Sequence, residues 1–422
     1  MRGVIFMQNQ NDFSRGFLQV NVYDDNVGIP LDNVTVTISE SGEGGEIIEQ
    51  LTTDSSGNTE TIDLPAPFIE YSLEPARSVR PYSEYDVSVN VDGFDPVLIE
   101  RVQILPESRS IQNIFLNESR IVTPAANDIL ILPHTLWQNF PPKIPEDSVK
   151  PLPDGGGLVV LPEPVIPEFI IVHDGDPGNA SAKNYTVPFA EYIKNVACCE
   201  IYPTWPVETI EANVLAIVSF TLNRVYTEWY RGKGYDFTIT NSTAYDQAFV
   251  YGRNIFSEIS EIVDYLFTTY ITKPDIRQPL FAQYCNGSTV SCPGWLEQWG
   301  SKRLGDNGLD AVEILRRYYG YDIYLTSAEK VAGVPLSYPG EPLMFGSVGN
   351  DVRTIQEQLN AISDNYPAIR KLRVDGIFGE NTKAAVTKFQ EIFDLAPSGI
   401  VDFATWYQIS NIYVAVEKLA EA

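Results

Sequence analysis

A chain of 422 residues, 44% hydrophobic and 20% charged, is globular in composition and long enough for two or three domains. Its formal net charge of −27 speaks against nucleic acid as a partner, because phosphate binding needs clustered Lys and Arg. No apolar run reaches the length that crosses a bilayer, and the opening MRGVIFMQNQNDF lacks a signal-peptide core, so neither a membrane partner nor export is expected.

Residues 13–116 read as β. The alternating runs FLQVNVYD (17–24), VTVTISE (34–40) and YDVSVNVDGF (85–94) are separated by turn signals, among them Asp54-Ser55-Ser56-Gly57-Asn58 and Asp92-Gly93. Short strands at this spacing predict a small sandwich. The order "GIPLDNVTVTI … TTDSSGNT … YDVSVNVDGFDP" resembles the transthyretin-like or carboxypeptidase-regulatory-like sandwich, which implies an accessory domain over 1–116.

From Leu105 to Glu168 the pattern changes: the ten prolines from Pro124 to Pro167 break any regular element, and Asp154-Gly155-Gly156-Gly157 adds a joint. Residues 117–168 are therefore expected to be an extended linker of the kind that proteases cut.

The next stretch, 169–335, is mainly helical with strand segments, an α+β pattern. VPFAEYIKNVACC (187–199) opens with Pro188 in the first turn and repeats apolar residues at Phe189, Ile193 and Val196. A second helix starts near Pro206, a third is predicted over 255–271, and a fourth over 309–320 ends at Gly320. Of four cysteines, Cys198 and Cys199 are adjacent, and Cys285 and Cys292 flank a polar loop; a bridge or two free thiols both fit that pair. The two histidines, His134 and His173, are too few to favour a His-based nucleophile or a His-rich zinc site, so chemistry is expected to run on carboxylates.

Residues 185–323 carry a further pattern. Glu200 precedes Pro203, a helix follows, then Gln247-Ala248-Phe249, then Gly294-Trp295-Leu296-Glu297-Gln298-Trp299-Gly300 leading into a helix that ends in Tyr318-Tyr319. This order resembles the SpoIID sporulation family, which includes lytic transglycosylases and proteins described as amidase enhancers. The resemblance implies that Glu200 is the catalytic acid of a peptidoglycan lytic transglycosylase. It makes Tyr245, Gln247, Gln298 and Trp299 candidate sugar contacts. The helix C-terminus and the apolar neighbours Cys198, Cys199 and Tyr202 both disfavour the ionised carboxyl, which suits a general acid. Glu208 and Glu211 are the nearest second carboxylates, with Glu208 expected to point outward. Some members hold a metal with His and Cys near the "QVY"-like segment. Residues 235–255 contain neither, so no metal and no cofactor are expected here.

Residues 340–415 show three helical patterns: Val352, Ile355, Leu359 and Ile362 behind an Asn350-Asp351 cap; Ala385, Phe389 and Ile392 behind Asn381; and Trp406 and Ile409 behind Asp402. Between them lie the turn-forming VDGIFGENT (374–382) and PSGIVD (397–402). The order "GSVGNDVRTIQEQLN … VDGIFGENTKAAVTKFQ … SGIVDFATW" closely resembles the peptidoglycan-binding repeat appended to many wall hydrolases. By that resemblance Asp375, Gly376, Phe378, Gly379 and Thr382 contact the glycan or peptide stem, with Phe378 and Trp406 as alternative core aromatics.

Sandwich, linker, SpoIID-like domain and wall-binding domain in this order resemble the clostridial spore cortex-lytic enzymes. That implies a zymogen placed in the cortex and coat region of the spore without a signal peptide, acting on cortex peptidoglycan during germination. A subtilisin-like protease is its implied activating partner. The rivals are a non-catalytic wall-binding stimulator of an amidase and a phage or injection-device wall-piercing protein.

Overall fold

The computed structural model describes residues 13–25, 29–75, 79–119, 127–152, 163–290, 292–328, 330–331, 338–339 and 341–420. The N-terminal part is built from β1 (Ser14–Asp24), β2 (Thr35–Glu40), β3 (Ile47–Thr52), β4 (Ile62–Ala66), the single turn α1 (Glu70–Leu73), β5 (Ser83–Val89), β6 (Val97–Ile104), β7 (Arg109–Leu116) and β8 (Asn127–Leu130). Strict alternation sends Leu18, Val20 and Val22 of β1 to the same side, where they meet Val36 and Ile38 of β2, Val87 of β5 and Ile99 of β6 in one core. One sheet has the order β3-β2-β5-β6-β8.

The second sheet is not closed within the N-terminal part. Its order is β12-β7-β1-β4, where β12 (Ile255–Phe256) belongs to the middle of the chain and pairs antiparallel with β7 through Ile255↔Ile111 and Phe256↔Ser110. The buried Asn254 side chain reinforces the seam: its amide donates to the Gln103 carbonyl at 2.9 Å and its oxygen accepts from the Gln103 N–H at 3.2 Å.

The middle part contains β9 (Phe169–His173), β10 (Asn184–Pro188), α2 (Phe189–Glu200), α3 (Val207–Tyr226), β11 (Ile239–Thr240), β12, α4 (Ser257–Leu266), β13 (Thr269–Thr272), β14 (Tyr284–Cys285), β15 (Leu296–Glu297), α5 (Gln298–Asp306), α6 (Ala311–Tyr319) and β16 (Tyr324–Ser327). α3 is buried on nearly all sides beyond its first turn, its buried polar side chains hydrogen-bonded, and α2, α4, α5 and α6 pack about it. The single helix predicted over 255–271 is corrected to strand, helix and strand. Ile255–Phe256 completes the β7 edge and Thr269–Thr272 pairs with β16, so tertiary pairing overrides a helical period at both ends. α6 starts at Asp310 with a full capping box to Glu313, and α5 lies so close to α3 that a Cβ on Gly305 would strike the Thr209 hydroxyl.

The C-terminal part is α7 (Asn350–Asn365), α8 (Glu380–Ile392) and α9 (Phe403–Ala420), three helices around Ile355, Leu359, Phe389, Trp406 and Ile409. The Asn350-Asp351 and Asn381 caps do not form. Gly349 and Gly379 take the N-cap positions, and Arg370 engages the Asn381 amide oxygen at 2.9 Å. Asp402 does accept the Thr405 N–H, at 2.9 Å. Among the described residues no helix is long and apolar enough to cross a membrane.

Candidate active site

Glu200 is the last residue of α2. Its apolar side, including Phe189, Tyr192, Ile193 and Val196, faces the core, and at Ile201 the backbone turns extended, which ends the helix and leads through Pro203 to α3. The carboxyl group is thereby aimed inward: Glu200 is only 5% exposed.

Four donors surround it. Oε1 accepts the Ala248 N–H at 3.0 Å and, at a longer 3.4 Å, the Tyr284 hydroxyl. Oε2 accepts Gln298 Nε2 at 3.0 Å and Thr135 Oγ1 at 3.2 Å. Gln298 also donates to the Glu200 carbonyl at 2.9 Å, and Thr135 to the Cys199 carbonyl at 2.9 Å. The setting is thus polar at the carboxyl tip, which corrects the expectation of an apolar one; the apolar neighbours line only the helix behind it. Burial first, and then the Glu200 charge, push the Tyr284 phenol far above its ordinary value, so it serves as a donor. Burial likewise raises Cys198 to about 12 and raises Cys199, leaving two inert thiols. His134 is held far below its ordinary value by burial. It is a neutral ring, accepting the Leu136 N–H on Nδ1 and bonded through Nε2 to the Ile201 carbonyl.

Behind Ala248 lies a buried ionic cluster. Asp246 accepts Arg224 Nε at 2.7 Å, the Tyr230 hydroxyl at 2.6 Å, and both the N–H and the hydroxyl of Thr240, at 3.0 and 2.7 Å. Arg224, with its side chain 0% exposed, also grips Glu146 at 2.6 Å. These bonds fix the turn that presents the Ala248 N–H.

Of the sugar contacts expected in this part, Gln298 lies against Glu200 and Tyr245 is half-buried at the start of that turn. Gln247 is corrected: it is fully buried, bonded to Tyr192, Thr221 and the Ile217 carbonyl, and braces α2 against α3. Trp299 is corrected likewise, packed against Trp205 with ring centroids 4.9 Å apart. Glu208 is exposed on the first turn of α3. Sequence reasoning missed Thr135, Tyr284 and the Ala248 amide. Cys285 and Cys292 form a disulfide with Cα atoms 5.8 Å apart, which closes the loop leading into β15 and Gln298. Among the described residues no three His, Cys, Asp or Glu side chains converge as metal ligands.

In the C-terminal unit Gln356 stitches the 375–382 loop. Its oxygen accepts the N–H groups of Asp375 and Gly376, and its amide donates to Asp375 Oδ1, the Ile377 carbonyl and Thr382 Oγ1. Asp375 is held below the usual carboxylate range by the Ile377 N–H and then by Gln356. Phe378 is corrected from a ligand contact to a core ring, with Gly376 and Thr382 also buried; Gly379 caps α8. What the loop exposes is apolar. Val348 and Ile377, 72% and 54% exposed, sit side by side in an antiparallel bridge, with Met344 and Phe345 exposed nearby.

Residues 348–409 match the family described as "Putative peptidoglycan binding domain". The protein is therefore a multidomain, cell-wall-associated one, sheet-rich at its N-terminus and carrying a helical peptidoglycan-binding domain at its C-terminus. No curated protein matches the chain. Among solved structures, the minor pilin GBS52 of Streptococcus agalactiae is 16% identical over 27% of this chain and 49% of its own, with a TM-score of 0.19. The 5-hydroxyisourate hydrolase of Klebsiella pneumoniae is 18% identical over 24% of this chain and 86% of its own, with a TM-score of 0.16. An (S)-allantoin synthase is 16% identical over 25% and 42%, with a TM-score of 0.19. The chain thus spans about half the length of the pilin it matches.

Proposed function

We propose that the protein is the zymogen of a spore cortex-lytic enzyme of the SleC kind, a lytic transglycosylase whose acid is Glu200. The observation that carries the reading is the carboxyl group of Glu200, gathered with Gln298, Tyr284 and the Ala248 amide in a chain that ends in a peptidoglycan-binding domain. A lytic transglycosylase needs one such group. Glu200 protonates the glycosidic oxygen between N-acetylmuramic acid and N-acetylglucosamine as the C1–O bond breaks. The carboxylate then takes the proton of the muramoyl 6-hydroxyl, whose oxygen bonds to C1 and leaves a 1,6-anhydro end. No water is consumed, so no second carboxylate is required.

At 5% exposure Glu200 cannot meet a glycan strand in this conformation. The groups that cover the carboxyl, Thr135, Ala248, Tyr284 and Gln298, all lie outside the sandwich. It is the domain order that supports a precursor in which the transthyretin-like sandwich is the pro-region and an activating subtilisin-like protease cuts within 117–168, its departure letting these groups part. Limited proteolysis of the full-length chain is expected to raise glycan cleavage of purified cortex about 10²-fold or more, as opening a buried acid restores its contribution; full activity before any cut would remove the zymogen reading. The same burial fits the rival in which the middle domain binds wall and stimulates an amidase; Glu200→Gln separates the two.

The exposed Val348–Ile377 pair is the surface offered to peptidoglycan. Ile377→Asp is expected to weaken sedimentation with purified wall about tenfold, equivalent to about 1.4 kcal/mol, with the melting temperature unchanged. Unaltered binding would move the contact elsewhere on the domain.

A further inference from the structure

Exposed prolines and exposed polar side chains are what a connector should show, but over Pro133–Lys150 several polar side chains are buried. Pro141, Pro142 and Pro145 are exposed, whereas Thr135, Lys143 and Lys150 are buried. The backbone is sewn down as well. The Ile144 N–H donates to the Ala244 carbonyl at 2.7 Å, the Phe281 N–H to the Ser148 carbonyl at 2.9 Å, and Gln283 and Gln278 each clasp the segment with both ends of their amides.

Three of its side chains reach the centre described above. Thr135 donates to Glu200. Glu146 pairs with the buried Arg224, which holds Asp246. Lys143 donates from Nζ to the Asp246 carbonyl, two residues before the Ala248 N–H that meets Glu200, and lies 4.9 Å from the ring centre of Tyr284 and 5.4 Å from that of Phe220. A buried ammonium without this carbonyl and these rings would be strongly unfavourable, so the segment and the turn hold each other in place.

We infer that Pro133–Lys150 is part of the catalytic centre and that Lys143 is a positioning residue, fastening the 246–248 turn so that the Ala248 N–H meets Glu200. The inference rests on the reading of Glu200 as the acid. The charges facing Lys143 are Glu200 at the end of α2, Asp246 in the turn, Arg224 on α3 and Glu146 in its own segment. Burial draws the Lys143 ammonium below its ordinary value, against the pull of Glu200 and Asp246. An activating cut that separates the sandwich must then leave this segment with the middle domain.

The test uses the full-length chain with Lys143→Met, Lys143→Arg and Glu146→Gln. Hydrogen exchange of the peptide 245–250 is expected to quicken about tenfold in Lys143→Met and to return most of the way in Lys143→Arg. After limited proteolysis, Lys143→Met is expected to cut cortex about tenfold more slowly than wild type. Where Lys143→Met does not fold, Glu146→Gln replaces it, with the same direction in both readouts. Unchanged exchange overturns the inference, and so does a variant that cuts faster than wild type, since the segment would then be an inhibitory plug. If wild-type protein cuts no glycan, the reading of Glu200 fails by itself, and the exchange rates still decide the role of Lys143.

Discussion

Glu200→Gln is expected to lower the yield of 1,6-anhydromuramoyl ends from purified cortex by about 10²–10⁴-fold, the range over which a positioned general acid contributes. The amide keeps the size of the side chain and can still accept from Ala248 or Gln298, so the fold is expected to survive. It cannot donate the proton that the leaving oxygen needs. Mass analysis of muropeptides released by proteolytically opened wild type and variant reads the effect. Full anhydro product from the variant would exclude the lytic reading and leave the amidase-stimulating one. A loss of product with intact sedimentation on wall would separate cutting from tethering, because the apolar Val348–Ile377 surface lies in another domain.

The second large effect is on stability. Arg224→Met removes the cation shared by Asp246 at 2.7 Å and Glu146 at 2.6 Å, all within the protein interior or at its edge. Two carboxylates would then lack their counter-charge, and breaking a buried pair from one side costs about 3–5 kcal/mol. Denaturant unfolding of the variant is expected to show a loss of that size. A loss below about 1 kcal/mol would mean that water or Lys143 compensates for the missing guanidinium.

What was legible in the sequence followed from local period and order. Alternation in 17–24, 34–40 and 85–94 located three strands, and the spacing Phe189, Ile193, Val196 placed Glu200 at a helix end. Gln298, named by the resemblance as a sugar contact, is buried against the Glu200 carboxyl group. The rest lay beyond local reasoning because its cause is long-range. Thr135 and Lys143 meet the site from 65 residues away in the one case and, through Asp246, across 103 in the other, and a proline-rich composition says nothing about which of its side chains are buried. Gln247 has the chemistry of a sugar-binding amide, but two hydroxyls and a carbonyl inside the core satisfy it first. The 255–271 period is helical throughout, and only the free edge of β7 explains why Ile255 and Phe256 are extended.

That borrowed strand has a kinetic consequence on the zymogen reading. The sandwich is joined to the middle domain by the β7–β12 pairing and the Asn254 clasp, and to the wall-binding domain by Arg109 and Asn21 at Asp394. Hydrolysing one peptide bond in the connector breaks none of these. Scission and departure are therefore separate events. Activity is expected to trail the appearance of the cut chain by a first-order lag whose length does not depend on protease concentration. A germinating spore would then hold a pool of enzyme already cut but still latent, released at a pace written into a two-residue strand.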